Sequence, residues 1–166
     1  YFKEIAGDLD VDLVDNSKAD PNKAINAKLA TMKLGEYLDL IKSTPTDLRI
    51  FFLNLFKHSP DLVNDVKVPK ELMGGFIESM PAMFFGGSKA VTFLHYDIDL
   101  PHLFHTHFGG RKHIILFDNK WKKRLYCIPN TTYALEEYDV ANPDFEKFPA
   151  LKGVEGYELF LEHGDT

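Results

Sequence analysis

From Met83 onward the chain breaks into short apolar runs separated by turn residues, and this punctuation limits the possible folds more than any other feature. Residues 83–85, 91–94, 103–108, 113–117, 124–128 and 157–161 are the candidate strands, with Gly86-Gly87, Gly109-Gly110 and Asp118-Asn119 marking turns between them. Many short strands with regular turns predict an antiparallel sandwich or barrel rather than a helical bundle. Fourteen Phe and seven Tyr against one Trp suit the same picture, because such rings fit a pleated, half-buried surface.

The first half carries a different signal. The opening segment through Ala6 reads as the end of a helix, and Leu9, Val11 and Leu13 alternate with Asp8, Asp10 and Asp12 as in a half-exposed strand. Residues 16–26, with Pro21, read as a polar loop. Leu34, Tyr37, Leu38 and Ile41 fall at helical spacing, closed by the stretch from Ser43 to Pro45. The run 50–55 is densely apolar and ambiguous between strand and buried helix. Pro69 opens a further helix through Leu72, Phe76 and Ile77 that Pro81 ends. Residues 1–82 are therefore expected to form a helical N-terminal part, and residues 83–166 the first part of a β core, in one domain that looks cut at both ends.

Charge and cysteine content narrow the function classes. A net charge of −6 argues against a nucleic-acid scaffold, since phosphate binding needs clustered cations, although residues 120–124 form a local basic patch. The single cysteine, Cys127, cannot make an internal disulfide, so a reducing cytoplasm is the expected location. No apolar stretch has the length to span a bilayer, and no membrane partner is expected. There is no Gly-rich phosphate loop ending in Lys-Ser or Lys-Thr, and nothing marks Cys127 as a nucleophile.

The chemistry that remains centres on histidine and aspartate. Residues two apart on a strand point to one face, so His95 and Asp97 can aim an imidazole and a carboxylate at one point. Such a pair, with a distant second His, is the facial triad of non-haem iron sites. The spacing alone is weak: a chain of this composition yields roughly one His-x-Asp pair by chance, and His163-Gly164-Asp165 is a second match. Context separates them. His95 follows the apolar run from Ala90 to Leu94, whereas His163 lies in a glycine turn.

The stretch Thr92-Phe93-Leu94-His95-Tyr96-Asp97, then the stretch from Gly110 to Phe117, resembles the JmjC and cupin-8 oxygenases, especially the asparaginyl-hydroxylase branch that includes factor inhibiting HIF. The block from Asn142 to Pro149, followed by Gly156-Tyr157-Glu158 and Gly164-Asp165, resembles the same branch in the same order. The resemblance implies a double-stranded β-helix, or jelly-roll, incomplete at both ends. It implies a hydroxylase using Fe(II), 2-oxoglutarate and O2, in which decarboxylation to succinate accompanies oxidation of a substrate C–H bond. His95 and Asp97 are then metal ligands, with the third ligand, a His, expected after Thr166, so that this fragment alone is expected to be inactive. Lys112 is expected to pair with the distal carboxylate of 2-oxoglutarate, with Thr92 helping to hold it. Phe51 stands where that branch has a Tyr hydroxyl, and the loop from Asp97 to Lys112 is about two residues longer, with His102, His105 and His107 in it. Phe51, Phe84, Leu103 and His105 are the expected pocket-lining residues.

Other readings stay open. His105 and His107 share a strand face and suit a separate zinc or small-cupin metal site, but Arg111 and Lys112 occupy the positions where that pattern has a Glu. A non-catalytic cupin-like module that binds a metal or ligand is the main alternative; a metal-dependent isomerase or epimerase would need no cosubstrate lysine. A protein side chain or small molecule is the expected substrate ahead of nucleic acid. Related enzymes suggest a homodimer built through segments outside this chain.

Overall fold

The computed structural model describes residues 1–15, 27–66, 71, 82–97, 102–134 and 138–166. The expected loop at 16–26 and, apart from Glu71, the expected helix running from Pro69 to Pro81 lie outside the described residues. The chain divides into two compact units, Tyr1–Thr92 and Phe93–Thr166.

The first unit is an antiparallel sheet with short helices. Its elements are α1 (Phe2–Ala6), β1 (Asp10–Asp15), β2 (Lys28–Lys33), α2 (Leu34–Ser43), β3 (Leu48–Leu53), α3 (Leu55–His58), a 3-10 helix (Pro60–Asp65) and β4 (Met83–Gly86), with strand order β2-β1-β3-β4. The alternation from Leu9 to Leu13 becomes β1, with Val11 and Leu13 buried. A register shift after Leu13 lets Val14 turn inward as well, which simple alternation would not give. The predicted helical spacing becomes α2, whose Leu34 and Tyr37 join Leu13 and Leu55 at the centre of the core. Tyr37 also donates its hydroxyl to the carbonyls of Leu48 (2.9 Å) and Phe85 (3.1 Å), tying α2 to β3 and β4. The ambiguous run 50–55 resolves into the end of β3 and the start of α3, an outcome its aromatic and β-branched content favours.

This unit is less helical than expected, since four strands stand among its short helices. β4, assigned from sequence to the β core that follows, pairs with β3 in this first sheet. The expected boundary at 82/83 thus differs from the division after Thr92.

Among the described residues the second unit contains one regular ladder, β5 (Lys112–Phe117) against β6 (Gly156–Leu161), paired from Lys112↔Leu161 to Phe117↔Gly156. A Cβ on Gly156 would lie 2.8 Å from the Phe117 ring, so glycine lets that ring lie over β6. The remaining candidate strands are not regular. Residues 91–94 have no ladder; His95↔Tyr133 and Cys127↔Ala134 are isolated bridges. Residues 124–128 mostly form a turn, with Arg124 and Leu125 both donating to the Trp121 carbonyl and Tyr126 at φ +51°. The core of this unit is Leu125, Ala134, Tyr138, Phe148 and Leu151. Side chains pin its loops: Tyr138 Oη donates to Leu125 O (2.6 Å), and the Arg124 guanidinium donates to the carbonyls of Ala150 (2.7 Å) and Lys152. Both units therefore hold antiparallel sheet, as the β reading of the second half requires.

Candidate metal and anion site

His95 is fixed by backbone on both sides. Leu94 O accepts from Ala134 N (3.0 Å) and Tyr96 N donates to Thr132 O (3.0 Å), so the segment carrying His95 lies antiparallel to 132–134 without forming a full strand. His95 Nδ1 lies 2.7 Å from the Phe93 carbonyl. A carbonyl only accepts, so Nδ1 carries the proton, and in the neutral ring Nε2 holds a free lone pair. That nitrogen lies 3.7 Å from Asp97 Oδ1. Two electron-rich atoms facing each other at this distance, with the imidazole oriented by a carbonyl on its far nitrogen, form a donor set that fits a divalent cation. Tyr96, between them, points elsewhere: its hydroxyl donates to Thr131 O (3.2 Å) and Lys122 Nζ sits 4.4 Å from its ring centroid. Among the described residues no group of three or more His, Cys, Asp or Glu is poised to hold a metal, so the pair stands without a third partner there.

Lys112 begins β5, and its register with Leu161 puts it on the face shared by Ile114, Leu116, Leu159 and Leu161. Neighbouring protein lowers the proton affinity of its ammonium by desolvation. Arg111 takes the opposite face, where it pairs with Glu162 (2.8 Å) and covers the Phe160 ring. Burial also lowers the His105 pKa, and the charges of Lys112 and His107 push it the same way. These three groups therefore share one electrostatic neighbourhood, in which an added anion would be favoured. The His105 and His107 rings lie nearly parallel, 6.5 Å between centroids. His107 is held by exchange with the chain end: its N–H donates to Asp165 O (2.9 Å) and its carbonyl accepts from Gly164 N (2.8 Å). Its Nε2 is buried without a hydrogen-bond partner. Leu103 is largely exposed.

Thr92, Phe51 and Phe84 belong to the first unit. Thr92 Oγ1 accepts from Arg49 Nη1 (2.9 Å), and Arg49 Nη2 donates to Val91 O (2.6 Å). Arg49 is only 4% exposed and lies 5.5 Å from the Phe51 ring centroid, and Phe51 in turn packs edge-on against Phe84 (5.4 Å). Sequence reasoning missed Arg49. The signal was present: one guanidinium inside the apolar run from Leu48 to Leu53 must be buried with partners or not buried at all.

The block from Asn142 to Pro149 proves to be structural. Asp144 Oδ1 accepts from Glu146 N (2.9 Å) and Lys147 N (3.1 Å), forming a turn that delivers Phe148 into the second core, while Pro143 and Phe145 line a small cavity beside it.

The family model for the cupin-like domain matches residues 1–166. tRNA wybutosine-synthesizing protein 5 of Gallus gallus is 30% identical over 127 residues, covering 76% of this chain and 38% of that protein. JmjC domain-containing protein D of Dictyostelium discoideum is 38% identical over 84 residues, covering 49% of this chain and 18% of that protein. The chain thus spans well under half the length of either relative. Neither carries the name of an asparaginyl hydroxylase, and the branch expected from sequence gains no support.

Proposed function

The chain belongs to the cupin-like family, and from that premise we propose that it is part of an Fe(II)- and 2-oxoglutarate-dependent oxygenase built on a jelly-roll. The observation that carries this reading is the pairing of His95 Nε2 with Asp97 Oδ1 at 3.7 Å, with Nδ1 already committed to Phe93 O. In this reading His95 and Asp97 hold the metal, which together with 2-oxoglutarate and O2 supplies the oxidising chemistry. The protein's own task is geometry. Phe93 O keeps the imidazole in the ligating tautomer, and the bridge from 94–96 to 132–134 keeps the carboxylate beside it. Lys112, on an apolar strand face, offers a cation whose partial desolvation strengthens a bond to a carboxylate. His105 shares the electrostatic surroundings of Lys112 and is assigned to the same anionic ligand; within the first unit, Arg49 holds the Thr92 hydroxyl.

The substrate class follows less directly. A protein side chain or small molecule remains the reading from overall charge, and similarity to a tRNA wybutosine-synthesizing protein brings RNA into the set. A non-catalytic cupin-like binding module is the alternative, favoured by Phe51, which has no hydroxyl to offer a cosubstrate. A succinate assay on the full-length protein with Fe(II), O2 and 2-oxoglutarate separates the two. The oxygenase reading expects succinate release that His95→Ala abolishes, and a raised KM for 2-oxoglutarate in Lys112→Ala. Tight metal binding with no succinate under any condition would favour the binding module.

A further inference from the structure

Residues 120–124, Lys-Trp-Lys-Lys-Arg, place four cations in five positions of a chain whose net charge is −6. The structure keeps them in a fixed array. Asp118 caps the 3-10 helix Asn119–Trp121 by accepting from Lys120 N (2.8 Å), and the turn closes through Arg124 N to Trp121 O (2.7 Å). Arg124 is committed to the carbonyls of Ala150 and Lys152, and its guanidinium lies 5.3 Å from the Trp121 ring centroid. Lys120 Nζ lies 5.2 Å from the same centroid. Lys122 covers the Tyr96 ring and reaches its hydroxyl at 3.4 Å. Among the described residues none of Lys120, Lys122 and Lys123 has a carboxylate partner, although Lys28, Lys33 and Arg111 each do. Asp118 spends its carboxylate on backbone. Three exposed ammonium groups without counter-charge, set on a hydrogen-bonded turn beside the rings of Trp121 and Tyr96, match the cationic surface that tracks a single-stranded nucleic-acid backbone.

We propose that the 120–124 turn, together with Tyr96, is a docking surface for single-stranded RNA beside the His95 and Asp97 pair. Tyr96 lies between those two residues in the chain and is the ring that Lys122 covers, so RNA held by Lys122 is held next to the pair. The inference concerns binding and stands apart from the oxygenase reading: failure to form succinate would leave it untouched, and loss of RNA binding would leave the metal pair untouched.

The test is fluorescence anisotropy of the full-length protein with a labelled single-stranded RNA of about 12 nucleotides, within the usual span of such sites. Titrations run at several salt concentrations, with heparin and anionic phospholipid vesicles as separate probes. Three phosphate contacts predict a slope of log affinity against log salt near about −2. The Lys122→Ala/Lys123→Ala double variant should weaken RNA binding at least about tenfold at low salt and flatten the slope by about 1.4. Lys57→Ala, an exposed lysine in the first unit, should change it less than about twofold. Circular dichroism checks that the double variant is folded. Equal RNA affinity in the double variant and wild type, or no RNA binding at low salt, would overturn the proposal. Patch-dependent binding to heparin or vesicles without binding to RNA would overturn it in favour of another polyanion.

Discussion

The two units solve the same stability problem differently. The first, Tyr1–Thr92, buries continuous apolar faces: Leu13, Leu34, Tyr37 and Leu55 are fully enclosed beneath a four-stranded sheet. The second, Phe93–Thr166, shows among its described residues one two-stranded ladder and a smaller core, and side chains bonded to backbone carbonyls pin its loops. The metal-like pair and the basic turn both sit in this second, irregular unit. Regular pattern serves burial; irregular backbone, fixed residue by residue, serves chemistry.

The largest expected effect comes from the first unit. Leu13→Ala removes a side chain with no exposed surface and should cost about 3–5 kcal/mol, visible as a lower midpoint in far-UV circular dichroism. The only tryptophan, Trp121, reports on the second unit. If the contrast is real, its fluorescence transition should move less than the dichroism transition. Coincident shifts of equal size would break the comparison by making the units one cooperative block.

A mid-sized effect is expected from Arg124→Ala, which leaves the carbonyls of Ala150 and Lys152 without the guanidinium and loosens the second unit by about 1.5–3 kcal/mol. Urea melts followed by Trp121 fluorescence measure it. No change would mean that the pinning bonds contribute nothing and the small core suffices.

The smallest effect appears only in alkali, and each unit contains its own version. Burial pushes the Tyr37 phenol up to about 12 and the Tyr138 phenol up to about 12, and each hydroxyl donates to backbone carbonyl. A raised folded pKa contributes stability that is complete below the unfolded value near 10 and is lost as pH rises through about 12. Stability should therefore fall between those pH values. Tyr37→Phe should remove the pH-dependent part for the first unit, and Tyr138→Phe that for the second.

Legibility in the sequence follows the same division. β1 and α2 were readable because alternation and helical spacing are local signals, and the faces they predict are buried or half-buried. Residues 103–108 were not, because what orders them is an exchange of hydrogen bonds between His107 and Gly164-Asp165, more than fifty positions away. Residues 124–128 carry strand-like apolar content, yet Trp121 O captures two successive N–H groups and turns the chain. At the candidate site, the two-residue spacing of His95 and Asp97 was readable. The role of Phe93 O, the bridge to Tyr133 and the buried Arg49 beneath Thr92 depend on tertiary contacts that no short pattern encodes.

The central claim is that His95 and Asp97 form a metal-binding pair, and anaerobic calorimetric titration of the full-length protein with Fe(II) tests it most directly. The account predicts that His95→Ala weakens binding by more than about 100-fold, beyond the roughly 10–100-fold cost of disturbing a residue that merely supports a ligand. Fe(II) affinity unchanged by His95→Ala, in a protein whose dichroism matches wild type, would contradict it.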